Sequence, residues 1–250
     1  MKRYLFGGLL IVVIVLLTQA PVSLLKPFLP PAGQAVELQQ LRGTLWRAAA
    51  TVHHQGRTLG DLSWQFQPAR LLSGQLAFAW QMAGRDVSGT GTAGRSLSAW
   101  HLTGDGVAAS RLFAPLLAEY ELVVPGQVTL AELVAASDGQ RVTGLAGNLL
   151  WPGGSVTFPQ GNRLATIAMP PLNAELKLDA EQQPLAEVFQ ADGQGQRAPG
   201  ADYPLLTLTA LASGFAKVAV TRRLTRLAGV PWPGSEPDHA VVLEVEQQVF

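Results

Sequence analysis

Apolar residues along most of this chain recur at every second position. That period constrains the fold more than any other feature, because it belongs to a strand with one buried face. In Leu62-Ser63-Trp64-Gln65-Phe66-Gln67 the alternation is strict, so Leu62, Trp64 and Phe66 share one face and Ser63, Gln65 and Gln67 the other. Residues 75–82 repeat it with Leu76, Phe78, Trp80 and Met82. Glu175-Leu176-Lys177-Leu178-Asp179 and Leu243-Glu244-Val245-Glu246 put charged residues on the wet face, as in an antiparallel sheet solvated on one side. Between apolar runs lie Gln55-Gly56, Gly84-Arg85, Asp138-Gly139 and Pro152-Gly153-Gly154, which read as hairpin turns joining neighbouring strands. The expected fold is mainly β: a single N-terminal transmembrane helix, then an antiparallel twisted sheet or sandwich built from two related sheet units.

The helix is expected over residues 4–25, which contain no charge and follow Lys2 and Arg3. At 1.5 Å per residue such a helix is roughly 33 Å long, enough to cross a bilayer core. The two positive charges assign residues 1–3 to the cytoplasm and the remaining chain to the far side of the membrane. A cleaved signal peptide shares the charged start, and residues 5–17 are short enough for its apolar core. Cleavage after Thr18-Gln19-Ala20 would, however, leave Pro21 at the first mature position, where its ring and missing N–H suit a protease groove poorly. The chain has no cysteine to acylate, which closes a lipoprotein route. Residues 26–40, with Pro27, Pro30 and Pro31, read as a stiff connector to a β-rich exported domain over residues 41–250.

Equal counts of 18 basic and 18 acidic residues leave no net charge to attract nucleic acid, and no nucleic-acid partner is expected. Without cysteine, stability must come from a core and backbone hydrogen bonds. The Gly- and Gln-rich residues 191–200 read as a mobile loop. Helix is scarce: residues 111–119 allow a short one broken at Pro115, and residues 215–228 a longer one with Val220, Leu224 and Leu227 on a stripe and Gly229 as its stop.

No G-x-S-x-G, H-E-x-x-H or Walker-type pattern is present, nor a G-x-G-x-x-G before a helix. His53 and His54 are adjacent, so on a strand they point to opposite faces and cannot share a metal ion. Asp61, Asp105 and Asp138 each neighbour a glycine and suit turn duty. The expectation is therefore a protein without enzymatic activity, metal or cofactor. Contact residues are a different matter. Arg222, Arg223 and Arg226, close to Lys217, form either a surface for acidic partners or lipid headgroups, or a solvated face of a packed element. Trp232, in Val230-Pro231-Trp232-Pro233-Gly234, is either a contact residue or a lid over the core.

A short pattern recurs: Leu41-Arg42-Gly43-Thr44-Leu45-Trp46, then Leu72-Ser73-Gly74-Gln75-Leu76 with Trp80, then Leu145-Ala146-Gly147-Asn148-Leu149-Leu150-Trp151. With the Lys2-Arg3 start, the apolar segment behind it, and Leu62-Ser63-Trp64 followed by Pro68, these segments resemble the type II secretion system protein N (general secretion pathway protein N) family. The resemblance implies a single-pass accessory of the bacterial inner membrane, its N-terminus cytoplasmic and its C-terminal domain periplasmic. The partners it implies are other secretion components, such as the inner-membrane C protein and the outer-membrane secretin. It brings no catalytic, cofactor or binding residues. A second resemblance, to AsmA- and TamB-type envelope proteins, implies lipid carried along an apolar β groove. Whether the apolar face is closed in a sandwich or left as an open trough separates the two.

Overall fold

The computed structural model describes residues 18–28, 36–54, 56–118, 121–161, 163–211, 213–230 and 232–248. Most of the expected span over residues 4–25, namely residues 4–17, lies outside them, as does Gln55 of the first expected turn. Among the described residues no helix is long and apolar enough to cross a membrane. Behind that segment the chain lies against the first sheet. The Leu45 amide donates to the Ala20 carbonyl at 2.9 Å, Pro21 bridges to Thr44, and Ala20 and Val22 are buried. Val22–Phe28 is a 3-10 helix.

Two compact units follow, Met1–Leu97 and Ser98–Phe250. The first holds β1 (Val36–Gly43), β2 (Arg47–His54), β3 (Arg57–Phe66), β4 (Leu76–Ala83) and β5 (Val87–Arg95), each paired with the next in chain order. All these pairings are antiparallel, with Leu62 opposite Met82, Trp64 opposite Trp80 and Phe66 opposite Phe78. β1 thus begins inside the expected 26–40 connector.

The second unit holds β6 (Trp100–Ala109), β7 (Gln127–Ser137), β8 (Val142–Trp151), β9 (Gly154–Gln160), β10 (Arg163–Met169), β11 (Leu172–Leu178), β12 (Pro184–Gln190), β13 (Leu206–Ala210), β14 (Phe215–Thr221) and β15 (Val241–Gln248). Its sheet runs β6-β7-β8-β11-β12-β13-β14-β15, while β9 and β10 form a separate hairpin. The turns at Gly56, Gly84-Arg85 and Asp138-Gly139 join paired strands as expected. Pro152-Gly153-Gly154 does not: β8 pairs with β11, and this segment is where the chain leaves the sheet for the β9–β10 hairpin.

Three further expectations are corrected. Residues 215–228 are not one helix, because Ala216, Val218 and Val220 alternate on β14 and helix begins only at Arg222–Leu227. Residues 191–200 are bonded into the unit: the Asp192 carboxylate accepts from the Gln194 and Gln196 amides, and Asn173 Nδ2 donates to the Gly195 carbonyl at 2.7 Å. The recurring L-x-G-x-L segments occupy unlike places, the first at the end of β1, the second at a 3-10 helix terminus and the third within β8 opposite the β7 bulge. They do not mark a structural repeat. The main sheet of each unit is antiparallel throughout the described residues, and the second unit adds the separate β9–β10 hairpin.

Candidate functional site

Register alone assembles a long apolar surface in the second unit. Leu149, Ala174, Val188, Leu206, Val220 and Leu243 stand in one row from β8 to β15. Directly paired residues lie on the same side of a sheet, so this row is one face. Two residues along, Leu176, Ala186, Leu208, Val218 and Val245 form a parallel row. Leu208, Leu243 and Val245 are exposed. A face this apolar normally lies against a second layer, since each buried square ångström of apolar surface is worth about 25 cal/mol. Here Leu149, Ala174, Val188, Leu206 and Val220 are only half-buried.

The first unit has the same division. Leu62, Trp64 and Phe66 with Met82, Trp80 and Phe78 make an apolar face in which each side chain is only half-buried. Ring contacts tie it together, Trp46 to Phe66 at 4.9 Å and Phe66 to Phe78 at 5.5 Å. The opposite rows, Ser63 with Gln81 and Gln65 with Ala79, are polar apart from Ala79. Beside them is a groove of about 870 Å³ lined by Arg42, Arg47, Ser63, Gln65, Gln81 and Thr90 among others.

In the second unit the polar face carries ion pairs. Lys177 meets Glu187 at 2.7 Å and Lys217 meets Glu244 at 2.8 Å. The Glu244 carboxylate, by hydrogen bond and charge, holds the Lys217 ammonium above its usual pKa. Arg197 forks onto Glu175 through Nε and Nη2, and its guanidinium lies 3.6 Å over the Phe189 ring. These contacts fix the loop over residues 191–200.

The structure gathers the expected contact residues at one place. Arg222 donates to the Gly234 and Glu236 carbonyls, Arg223 to the Gly200 carbonyl at 3.2 Å, and Arg226 pairs with Asp238 at 2.6 Å. Arg222 and Arg226 thereby hold the segment that follows Trp232, while Arg223 reaches the loop ending at Gly200; Trp232 is 40% exposed next to exposed Val230. The sequence could not show the Arg222 contacts, because their acceptors are main-chain carbonyls that carry no residue-type signal. His53 and His54 take opposite faces of β2, and His239 stacks on Tyr203 at 4.5 Å. Among the described residues no group of His, Cys, Asp and Glu could hold a metal ion. An apolar pocket of about 630 Å³, lined in part by Leu117, Leu122, Val124 and Leu164, lies beside the short helix Ala114–Ala118. No sequence pattern pointed to it.

Comparison with known proteins agrees with the breadth of these features. Residues 34–226, which reach into both units, match the family described as type II secretion system (T2SS), protein N. The chain is 31% identical over 175 residues to the type II secretion system protein N of Vibrio cholerae serotype O1, covering 64% of this chain and 67% of that protein. No solved structure matches.

Proposed function

Because the chain belongs to the type II secretion system protein N family, we propose that it is a non-enzymatic accessory of that machine, anchored in the inner membrane and acting by contact in the periplasm. The observation that carries this reading is the family match over residues 34–226. Residues 4–25 supply the anchor and the two sheet units are the working part. The inner-membrane C protein and the outer-membrane secretin are the proposed partners.

Two surfaces suit contact. Trp232 stands on a loop held by Arg222 and Arg226, and an aromatic on a fixed support loses little entropy when a partner covers it. Arg223 and Arg226 border the same loop and give it a basic rim. Among the described residues β15 is the terminal strand of its sheet order, an edge to which a partner strand can add by main-chain pairing. Co-purification of the full chain with the secretion components tests this reading: retention of the C protein or the secretin supports it, and recovery of neither counts against it.

The half-buried apolar rows favour a second reading, a lipid carrier of the AsmA and TamB kind. A partly exposed apolar face is the trough such a carrier needs. Extraction of the purified full chain separates the two: bound phospholipid in stoichiometric amount favours the carrier, and its absence favours the scaffold.

A further inference from the structure

One end of the first unit differs from the other. It is built from the turn at Thr44, Leu45 and Trp46, the 3-10 helix Pro68–Ser73 between β3 and β4, and the residues after β5. The Phe66 amide donates to the Trp46 carbonyl at 2.7 Å, which brings the approach to that helix beside the turn. Leu76 pairs with Arg95, so Leu97 leaves the sheet at the same end. Here Leu71 is 53% exposed, Leu72 95% and Leu97 103%. Leucines this exposed contribute nothing to the core of the domain, and three at one end form a patch rather than scattered residues.

Two further observations say what covers the patch. The charges differ between the two ends of the sheet: Arg42, Arg47, Arg70 and Arg95 lie toward this end with no acidic residue among them, whereas Glu37, Asp61 and Asp86, the acidic residues of the unit, lie toward the other, where Arg57 and Arg85 offset them. The chain also enters the unit here, since Ala20 and Pro21 are bonded to Leu45 and Thr44, directly behind the uncharged residues 4–17. Protruding leucines with arginines behind them match the interface of an anionic bilayer, where apolar side chains enter the headgroup boundary and cations meet phosphates.

We propose that Leu71, Leu72 and Leu97 dip into the anionic membrane surface and that Arg47 and Arg70 meet its phosphates, so that the first sheet unit stands on the bilayer by this end. The proposal rests on the anchored reading above, and adds to it a second point of attachment that fixes the orientation of the sheet. Two attachments bind cooperatively, because the anchor raises the effective concentration of the tip at the surface.

The test uses the absence of cysteine. Single cysteines Leu72→Cys, Leu97→Cys and, at the opposite end, Arg85→Cys are introduced into the full chain and labelled with an environment-sensitive fluorophore. Each is compared in amphipol, in phosphatidylcholine vesicles and in vesicles containing phosphatidylglycerol. Expected are a blue shift and loss of iodide quenching at positions 72 and 97 but not 85 in phosphatidylglycerol vesicles, diminished by Arg47→Gln with Arg70→Gln. If the chain floats with the vesicles while position 72 is quenched as strongly as position 85, the tip proposal falls and the anchor stands. A chain that does not float overturns both. Protection equal in amphipol, or independent of phosphatidylglycerol, overturns the assignment to an anionic surface.

Discussion

Trp64 and Trp80 stand directly opposite each other across β3 and β4, yet only one of the two indoles has a partner. Trp64 Nε1 donates to the Leu45 carbonyl at 3.2 Å, while the buried Trp80 Nε1 has no hydrogen-bond partner among the described residues. A satisfied donor stabilises by about 0.5–1.5 kcal/mol, and an orphaned one costs its desolvation. Replacing each ring with phenylalanine removes similar area, so the difference isolates the polar contribution. Trp64→Phe is expected to cost on the order of 1 kcal/mol more than Trp80→Phe, measured as a shift in the urea midpoint at constant slope.

Arg197 joins the 191–200 loop to the sheet by its fork on Glu175 and its stack on Phe189. With the side chains 39% and 33% exposed, the ion pair is worth no more than about 1 kcal/mol, and the stack adds about 0.5–1 kcal/mol. Arg197→Ala should therefore cost about 1–2 kcal/mol in all. Faster amide exchange confined to residues 191–200 is the readout. Arg197→Lys keeps the charge but not the fork, and should recover only part of the protection.

The antiparallel strands were legible because the period of two runs through many of them, whereas the recurring L-x-G-x-L segments that suggested two related units fall at unlike places. Leu62, Trp64 and Phe66 share a face as their spacing requires, and the Asp138-Gly139 turn falls where the residue types put it. Residues 215–228 misled because Val220, Leu224 and Leu227 fit a helical stripe, although the strand period through Ala216, Val218 and Val220 was equally present. The 191–200 loop misled for another reason: glycine content reports a free chain's mobility, but Asn173 and Glu175, both on β11, tie this one down. Main-chain acceptors also hid the Arg222 contacts beside Trp232, so the tryptophan could be singled out, as a contact residue or a lid, and its support could not.

Asp138 carries a pH prediction. Its carboxylate accepts the Arg141 and Gln140 amides, both at 2.8 Å, and the Arg141 bond foremost holds its pKa below the usual 3.8. The charged form is thus preferred by the folded state, so the contribution is present above the unfolded value and disappears as pH falls through the folded one. Asp138→Asn keeps an acceptor but cannot titrate. Its urea midpoint should lie below the parent's near neutrality, and the gap should close between about pH 4 and pH 2 as the parent's carboxylate is protonated.

Trp232 lies on the proposed contact loop and not in the core. Trp232→Ala should leave the melting temperature of the full chain within about 1 °C of the parent, because surface substitutions change stability by under about 0.5 kcal/mol. Retention of the C protein or secretin in a pull-down should drop about tenfold or more, as when an interfacial aromatic anchor is lost. Equal retention would remove this loop from the interface.

The central claim is that the chain serves protein secretion by contact outside the cytoplasm. Deleting its gene in the native host and measuring folded exoprotein in the periplasm and in the medium tests that claim most directly. The account predicts periplasmic retention, reversed by the full chain and not by one lacking residues 1–25. Normal secretion accompanied by altered outer-membrane lipid content would contradict it, and would make the apolar rows from Leu149 to Leu243 the working surface instead.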